Sequence, residues 1–249
     1  MLLLRSITMT SLNTFFTDYY SHFVMVGLIL GFAIAHSGLA ALRIWAEQKV
    51  GARLYRVAFA LVSIPLAVVL FIYYFNHRYD GLSLWNFQGV TGLHEFVAVL
   101  SAIAFLFLYP ATFNLGEVAA IQKPQVYLFE TGITRISRHP QLLGMSLWCI
   151  AHTLWLGTSF ALTTAIALVS YHLFAVWHGD QRLFKRHGEA FLELKKRTSV
   201  FPFLAIAQGR QQFVFKEFIR PAYIGVAITV VIFRWLHPIV ITAAANVFF

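Results

Sequence analysis

Six runs of mostly apolar residues, each near the ~20 that cross a hydrocarbon core as a helix, set what this chain can fold into. They cover approximately residues 22–42, 55–75, 91–109, 141–156, 160–177 and 222–245. Lipid offers no hydrogen-bond partner to a backbone N–H or C=O, so such segments are expected as helices. The expected fold is therefore all-α: a polytopic transmembrane helical bundle of about six spans, one membrane domain over residues 1–249. Composition agrees. Residues are 59% hydrophobic and 12% charged, where a soluble domain carries about 25% charged residues.

Local signals refine the spans. Pro65 predicts a kink in the second, and Pro110 a stop to the third. Gly157-Thr158-Ser159 predicts a tight turn, so the fourth and fifth spans form a helical hairpin. The first loop carries Arg43, Lys49, Arg53 and Arg56; the third carries Lys123, Arg135 and Arg138. The fifth, residues 178–221, carries Arg182, Lys185, Arg186, Lys195, Lys196 and Arg197. The second has Arg78 beside Asp80, and the fourth has no charge. Basic loops stay on the cytoplasmic side, so both termini are expected on the other side. The net charge of +9 then reads as loops facing anionic headgroups rather than nucleic acid. The first twenty residues read as an interfacial lead-in rather than a removed signal. The single cysteine excludes an intrachain disulfide framework.

Chemistry in this chain rests on imidazoles. Of ten histidines, His36, His152 and His172 fall inside apolar spans. A neutral imidazole in hydrocarbon still needs partners, so it marks either function or a bond to a neighbouring helix. From the cytoplasmic ends of their spans, His36 lies roughly 10 Å deep, His172 roughly 9 Å and His152 roughly 17 Å. Depth alone pairs His36 with His172 slightly better than with His152. Two imidazoles from different helices suit the axial positions of haem iron. Zinc suits this chain less, because it takes four ligands, often thiolate or carboxylate. Cys149 shares a helical face with His152, as a second iron ligand or as a small buried apolar group. His77 and His94 read as interfacial residues, and His22, His187 and His237 as end or loop residues.

Ser137-Arg138-His139-Pro140-Gln141 precedes the fourth span. This layout resembles membrane methyltransferases of the isoprenylcysteine and phospholipid type. That resemblance implies S-adenosylmethionine held by Arg138, His139 and Glu189. The acidic pair typical of those enzymes appears here as Gly179-Asp180.

A more specific resemblance rests on His36 to Arg43, Gly51 to Arg56, Tyr109 to Leu115, Lys123-Pro124-Gln125 and Glu130 to Ile133. It continues through Arg138 to Gln141, Trp148 to Trp155, His172 to Asp180 and Arg220 to Tyr223. In these stretches the chain resembles the 15-cis-zeta-carotene isomerase family of NnrU-related membrane proteins. The resemblance implies isomerisation of the central double bond of 9,15,9'-tri-cis-zeta-carotene to give 9,9'-di-cis-zeta-carotene. It implies haem b, with axial ligands at His36 and His152 and a redox-linked ligand change near Cys149. His77, His139 and His172 match further histidines of the family; Tyr127 stands where some relatives carry another. It also implies a carotenoid substrate drawn from membrane lipid, an electron donor of unspecified identity, and a pigment-synthesising bacterial or plastid membrane. A third reading is a non-catalytic haem or nitrogen-oxide-related membrane protein.

Overall fold

The computed structural model describes residues 14–112, 128–219 and 221–245. Six helices form the bundle: α1 (Tyr20–Val50), α2 (Ala52–His77), α3 (Leu93–Thr112), α5 (Pro140–Leu156), α6 (Ser159–His187) and α9 (Pro221–Ala245). Three short helices, α4 (Ile133–Ile136), α7 (Glu189–Arg197) and α8 (Leu204–Ala207), lie between the long ones. All six apolar runs are thus helical, and the fold is an all-α bundle. Four of the helices, α1, α2, α6 and the Tyr223–Ala244 part of α9, are long and apolar enough to cross a membrane. The apolar helix at Leu93–Leu108 is shorter, and α5 has 17 residues.

Several helices outrun their apolar segments. Beyond its apolar run, α1 continues through Arg43-Ile-Trp-Ala-Glu47 to Val50. Charged residues there still have high helix propensity, and an i,i+4 pair of Arg43 with Glu47 at 2.7 Å supports them. Likewise α6 runs on to His187, and α3 continues through Pro110 to Thr112, the last described residue of that segment. Pro65 and Pro238 lie inside continuous helices.

Neighbouring helices pack in the cyclic order α1–α2–α9–α3–α5–α6. The closest approach is of α5 to α3 at Gly144, where a Cβ would sit 2.8 Å from the Ala104 carbonyl oxygen and 2.7 Å from Leu108. Only the missing side chain lets these backbones meet. Met25 and Ile29 of α1, Leu70, Tyr73 and Tyr74 of α2 and Phe160 of α6 form one core, with Trp148 of α5 against it. A second joins Phe107 of α3 to Ile133 and Ile136 of α4. Outward faces are apolar instead of polar: Ile34, Leu61 and Trp235 are 75%, 69% and 79% exposed. That inversion is what a hydrocarbon solvent requires.

One end of the bundle is closed by the α2–α3 loop laid over the α5–α6 turn. Leu84 N–H donates to Gly157 O at 2.7 Å, and Ser159 N–H to Leu82 O at 2.9 Å. Gly157 has φ +65°, and a Cβ there would overlap the Trp85 carbonyl. Thr158 caps α6 by accepting from Ala161 N–H at 3.2 Å. The opposite end carries the basic loops.

Candidate functional site

The three imidazoles of the apolar helices, His36, His152 and His172, take their level from helix register. At the loop-closed end, His22 Nε2 and Ser159 Oγ are 3.0 Å apart, so the starts of α1 and α6 are level. Phe32 meets Tyr171 at 5.7 Å, so these helices run parallel. His36 is fourteen residues beyond His22, about 21 Å deeper, and His172 is thirteen beyond Ser159, about 20 Å deeper. They share one level on two packed helices. His152 lies only five residues before the Gly157 turn, about 8 Å from the same end.

Local partners prepare these rings differently. His36 Nδ1 is 3.1 Å from Ser63 Oγ of α2. Its ring stacks on Phe32 at 5.0 Å and meets Phe59 edge-on at 4.7 Å. His172 Nδ1 donates to Leu168 O at 2.8 Å, and His152 Nδ1 to Trp148 O at 2.9 Å. A carbonyl only accepts, so both Nδ1 atoms carry the proton and each Nε2 keeps a lone pair. This is the tautomer of a metal-ligating histidine oriented by its own backbone. His152 stacks on Trp148 at 4.0 Å and faces His237 of α9 with ring centroids 6.3 Å apart. Cys149 is buried, at 3% exposure.

The donor chemistry of each imidazole therefore suits iron. Along the bundle axis the backbones of His36 and His152 differ in level by about 13 Å. Because α1 and α5 run antiparallel and side chains lean toward the start of their own helix, the two imidazoles lean toward each other from these levels. In addition, α6 lies between α1 and α5 in the packing order. Among the described residues no three His, Cys, Asp or Glu side chains converge as metal ligands.

Two polar knots flank the apolar middle. At the loop-closed end, His77 Nδ1 donates to Asp80 Oδ2 at 2.8 Å, and Leu82 N–H donates to Ser159 Oγ at 2.9 Å. At the basic end, Arg138 Nη2 donates to Asp180 Oδ2 at 3.0 Å and His139 Nε2 to Asp180 Oδ1 at 2.6 Å. Arg138 also holds Thr198 Oγ1 at 3.2 Å and, through its backbone N–H, Ser199 O at 2.7 Å. Beside this knot, Glu130 accepts from Arg197 at 2.8 Å and Gln211 at 2.9 Å. The Arg197 hydrogen bond, outweighing burial, holds the Glu130 carboxyl below the usual glutamate range.

Sequence reasoning missed three of these groups. His22 is an end residue, in the first turn of α1, and also a buried link between α1 and α6. His237 is the imidazole that meets His152. Asp180 is the shared acceptor of Arg138 and His139. The only signal was Asp180 itself, a lone carboxylate just past an apolar span. Tyr127 lies outside the described residues.

These features define a class: a helical membrane protein whose spans carry imidazoles rather than carboxylates, packed around aromatic rings. The chain belongs to the NnrU family, matching the family described as NnrU protein over residues 24–245. It is 52% identical over 219 residues to the chloroplastic 15-cis-zeta-carotene isomerase of Zea mays, covering 87% of this chain and 60% of that protein. It is 51% identical over 218 residues to the protein of the same description in Arabidopsis thaliana, covering 86% of this chain and 59% of that protein. The chain thus spans about three fifths of the length of these relatives, 60% and 59%. No solved structure matches it.

Proposed function

We propose that this chain isomerises the central 15-cis double bond of 9,15,9'-tri-cis-zeta-carotene, giving 9,9'-di-cis-zeta-carotene, within a pigment-synthesising membrane. What supports the reading is the 52% identity to the maize isomerase over 87% of this chain. The fold suits such a substrate. A carotene has no polar handle and dissolves in the bilayer core, so recognition rests on shape and apolar contact. The lipid-facing surface gives it lateral access. Around His36, Phe32 and Phe59 supply flat apolar faces that exclude water.

Haem b is proposed as the cofactor on the family resemblance and on the free Nε2 lone pairs of His152 and His172. The axial ligands proposed on that resemblance are His36 and His152, with His172 as a further candidate. Purified protein is expected to show a Soret band. Single His36→Ala, His152→Ala and His172→Ala variants, scored for Soret intensity, then report which imidazoles hold iron. We place both termini on the non-cytoplasmic side by the charge of the loops.

The functional test is expression in cells that accumulate 9,15,9'-tri-cis-zeta-carotene, with pigments separated by chromatography. The di-cis product is expected to appear in the dark. Unchanged pigment, with the protein present in the membrane, rejects the isomerase. A methyltransferase gains nothing from the geometry, because Arg138 and His139 are bonded to Asp180.

A further inference from the structure

Among the described residues, positive charge is in excess between three helices at the basic end. Arg43 and Glu47 come from α1, Arg56 from α2, and Arg182 and Arg186 from α6. Glu47 bridges two of them: Arg43 Nε donates to Oε1 at 2.7 Å and Arg186 Nη2 to Oε2 at 2.7 Å. Arg43, Glu47 and Arg186 keep only 26%, 14% and 25% side-chain exposure. Arg56 and Arg182 each lie within electrostatic reach of Arg43 and Arg186. Arg182 makes one long bond, 3.5 Å to the Ala40 carbonyl. Its Nε is buried with no hydrogen-bond partner in the protein.

Arg43 and Arg186 therefore take both oxygens of Glu47, and Arg182 lies beside these two arginines with its Nε unpartnered. Ordinary basic-loop residues behave differently: Lys195 and Lys196 are 52% and 72% exposed and reach water. Half-buried like charges repel, and a buried donor without an acceptor costs free energy. An anion between the arginines relieves both. The site also adjoins the apolar middle. Ala40, whose carbonyl takes Arg182, is one helical turn beyond His36 on the same helix.

We propose that Arg43, Arg56, Arg182 and Arg186 bind the anionic oxygen group of an amphiphile, a phosphate or a carboxylate, whose apolar body extends along α1, α2 and α6. Planar guanidinium forks suit either group, since both accept two parallel N–H bonds. The claim stands on the arginine cluster and does not depend on the isomerase reading.

The two sources of such a group are separated by two probes on the purified full chain. The first is dioleoylphosphatidylglycerol against dioleoylphosphatidylcholine in nanodiscs, read as retained lipid by native mass spectrometry. The second is metal-free protoporphyrin IX against its dimethyl ester, read by fluorescence. The wild-type chain is expected to prefer the anionic member of at least one pair by about tenfold, and the preference weakens with salt. Arg182→Gln and Arg186→Gln abolish that preference, whereas Lys195→Gln and Lys196→Gln keep it. Loss of the lipid preference assigns a phosphate; loss of the porphyrin preference assigns a carboxylate. Absence of any preference in the wild type, or equal preference in a folded Arg182→Gln or Arg186→Gln variant, overturns the proposal. Helical circular dichroism and monodisperse elution establish that each variant is folded.

Discussion

At the scale of residues, the backbone decides what several side chains do. The Nδ1–H of His152 and of His172 bonds to a carbonyl one turn back. Each ring is thereby oriented by its own helix and presents Nε2 to its surroundings. Gly157 is the opposite case, a position defined by the absence of a side chain. Its φ of +65° and the adjacent Trp85 carbonyl both reject a Cβ. Gly157→Ala is expected to destabilise the fold by about 2 kcal/mol, read as a lowered melting temperature in detergent. An unchanged melting temperature contradicts this reading of the turn. His22→Ala removes the link to Ser159 and is expected to cost about 1 kcal/mol by the same measurement, with helical content unchanged.

At the scale of elements, the basic end is tied by carboxylates that each hold more than one partner. Asp180 joins the end of α6 to the start of α5 through Arg138 and His139, whose side chains are 8% and 16% exposed. Asp180→Asn leaves the Arg138 charge without its counter-ion and is expected to cost about 3 kcal/mol. Its first visible consequence is faster proteolysis at residues 198–203, which Arg138 and Ser137 hold in place. Glu130 ties the end of α7 to the segment before α4. Its carboxyl is held below the ordinary glutamate value, so its contribution is complete above about pH 4.3 and is lost as pH falls through the lower folded-state value. The melting temperature of the wild type should exceed that of Glu130→Gln at neutral pH. The gap should close in acid and shrink with salt, because Arg197 is half-exposed. A gap independent of pH contradicts the ion pair.

At the scale of the whole molecule, the cyclic order of the helices and the parallel register of α1 and α6 set which imidazoles can act together. In a Cys149→Ser background, a His36→Cys/His172→Cys pair is expected to crosslink with a short bis-maleimide. A His36→Cys/His152→Cys pair is expected not to, given levels that differ by about 13 Å. Efficient crosslinking of the second pair and not the first would reverse the assignment of levels. The same register puts the arginine cluster of α1, α2 and α6 about one to two turns from His36, so a group bound there and a group held by His36 or His172 would be neighbours.

Sequence alone was enough for the helices, because a hydrocarbon solvent tests each segment on its own. Length and apolarity decide whether a run such as 55–75 can be a span, and a turn such as Gly157-Thr158-Ser159 is read from residue type. The interfacial position of Arg138 and His139 was legible for the same reason. The placing of His36, His152 and His172 within apolar helices was legible too, since a histidine in an apolar run stands out against it. Which of them meet was not. Level depends on helix register, and register is fixed by contacts such as His22 with Ser159 and Phe32 with Tyr171, made by residues more than a hundred positions apart. A periodic apolar helix packs acceptably at several registers and rotations, so its own pattern leaves both open. Only the folded bundle put His237 beside His152, gave Arg138 and His139 their shared carboxylate, and brought Arg43 and Arg186 from two helices onto one glutamate.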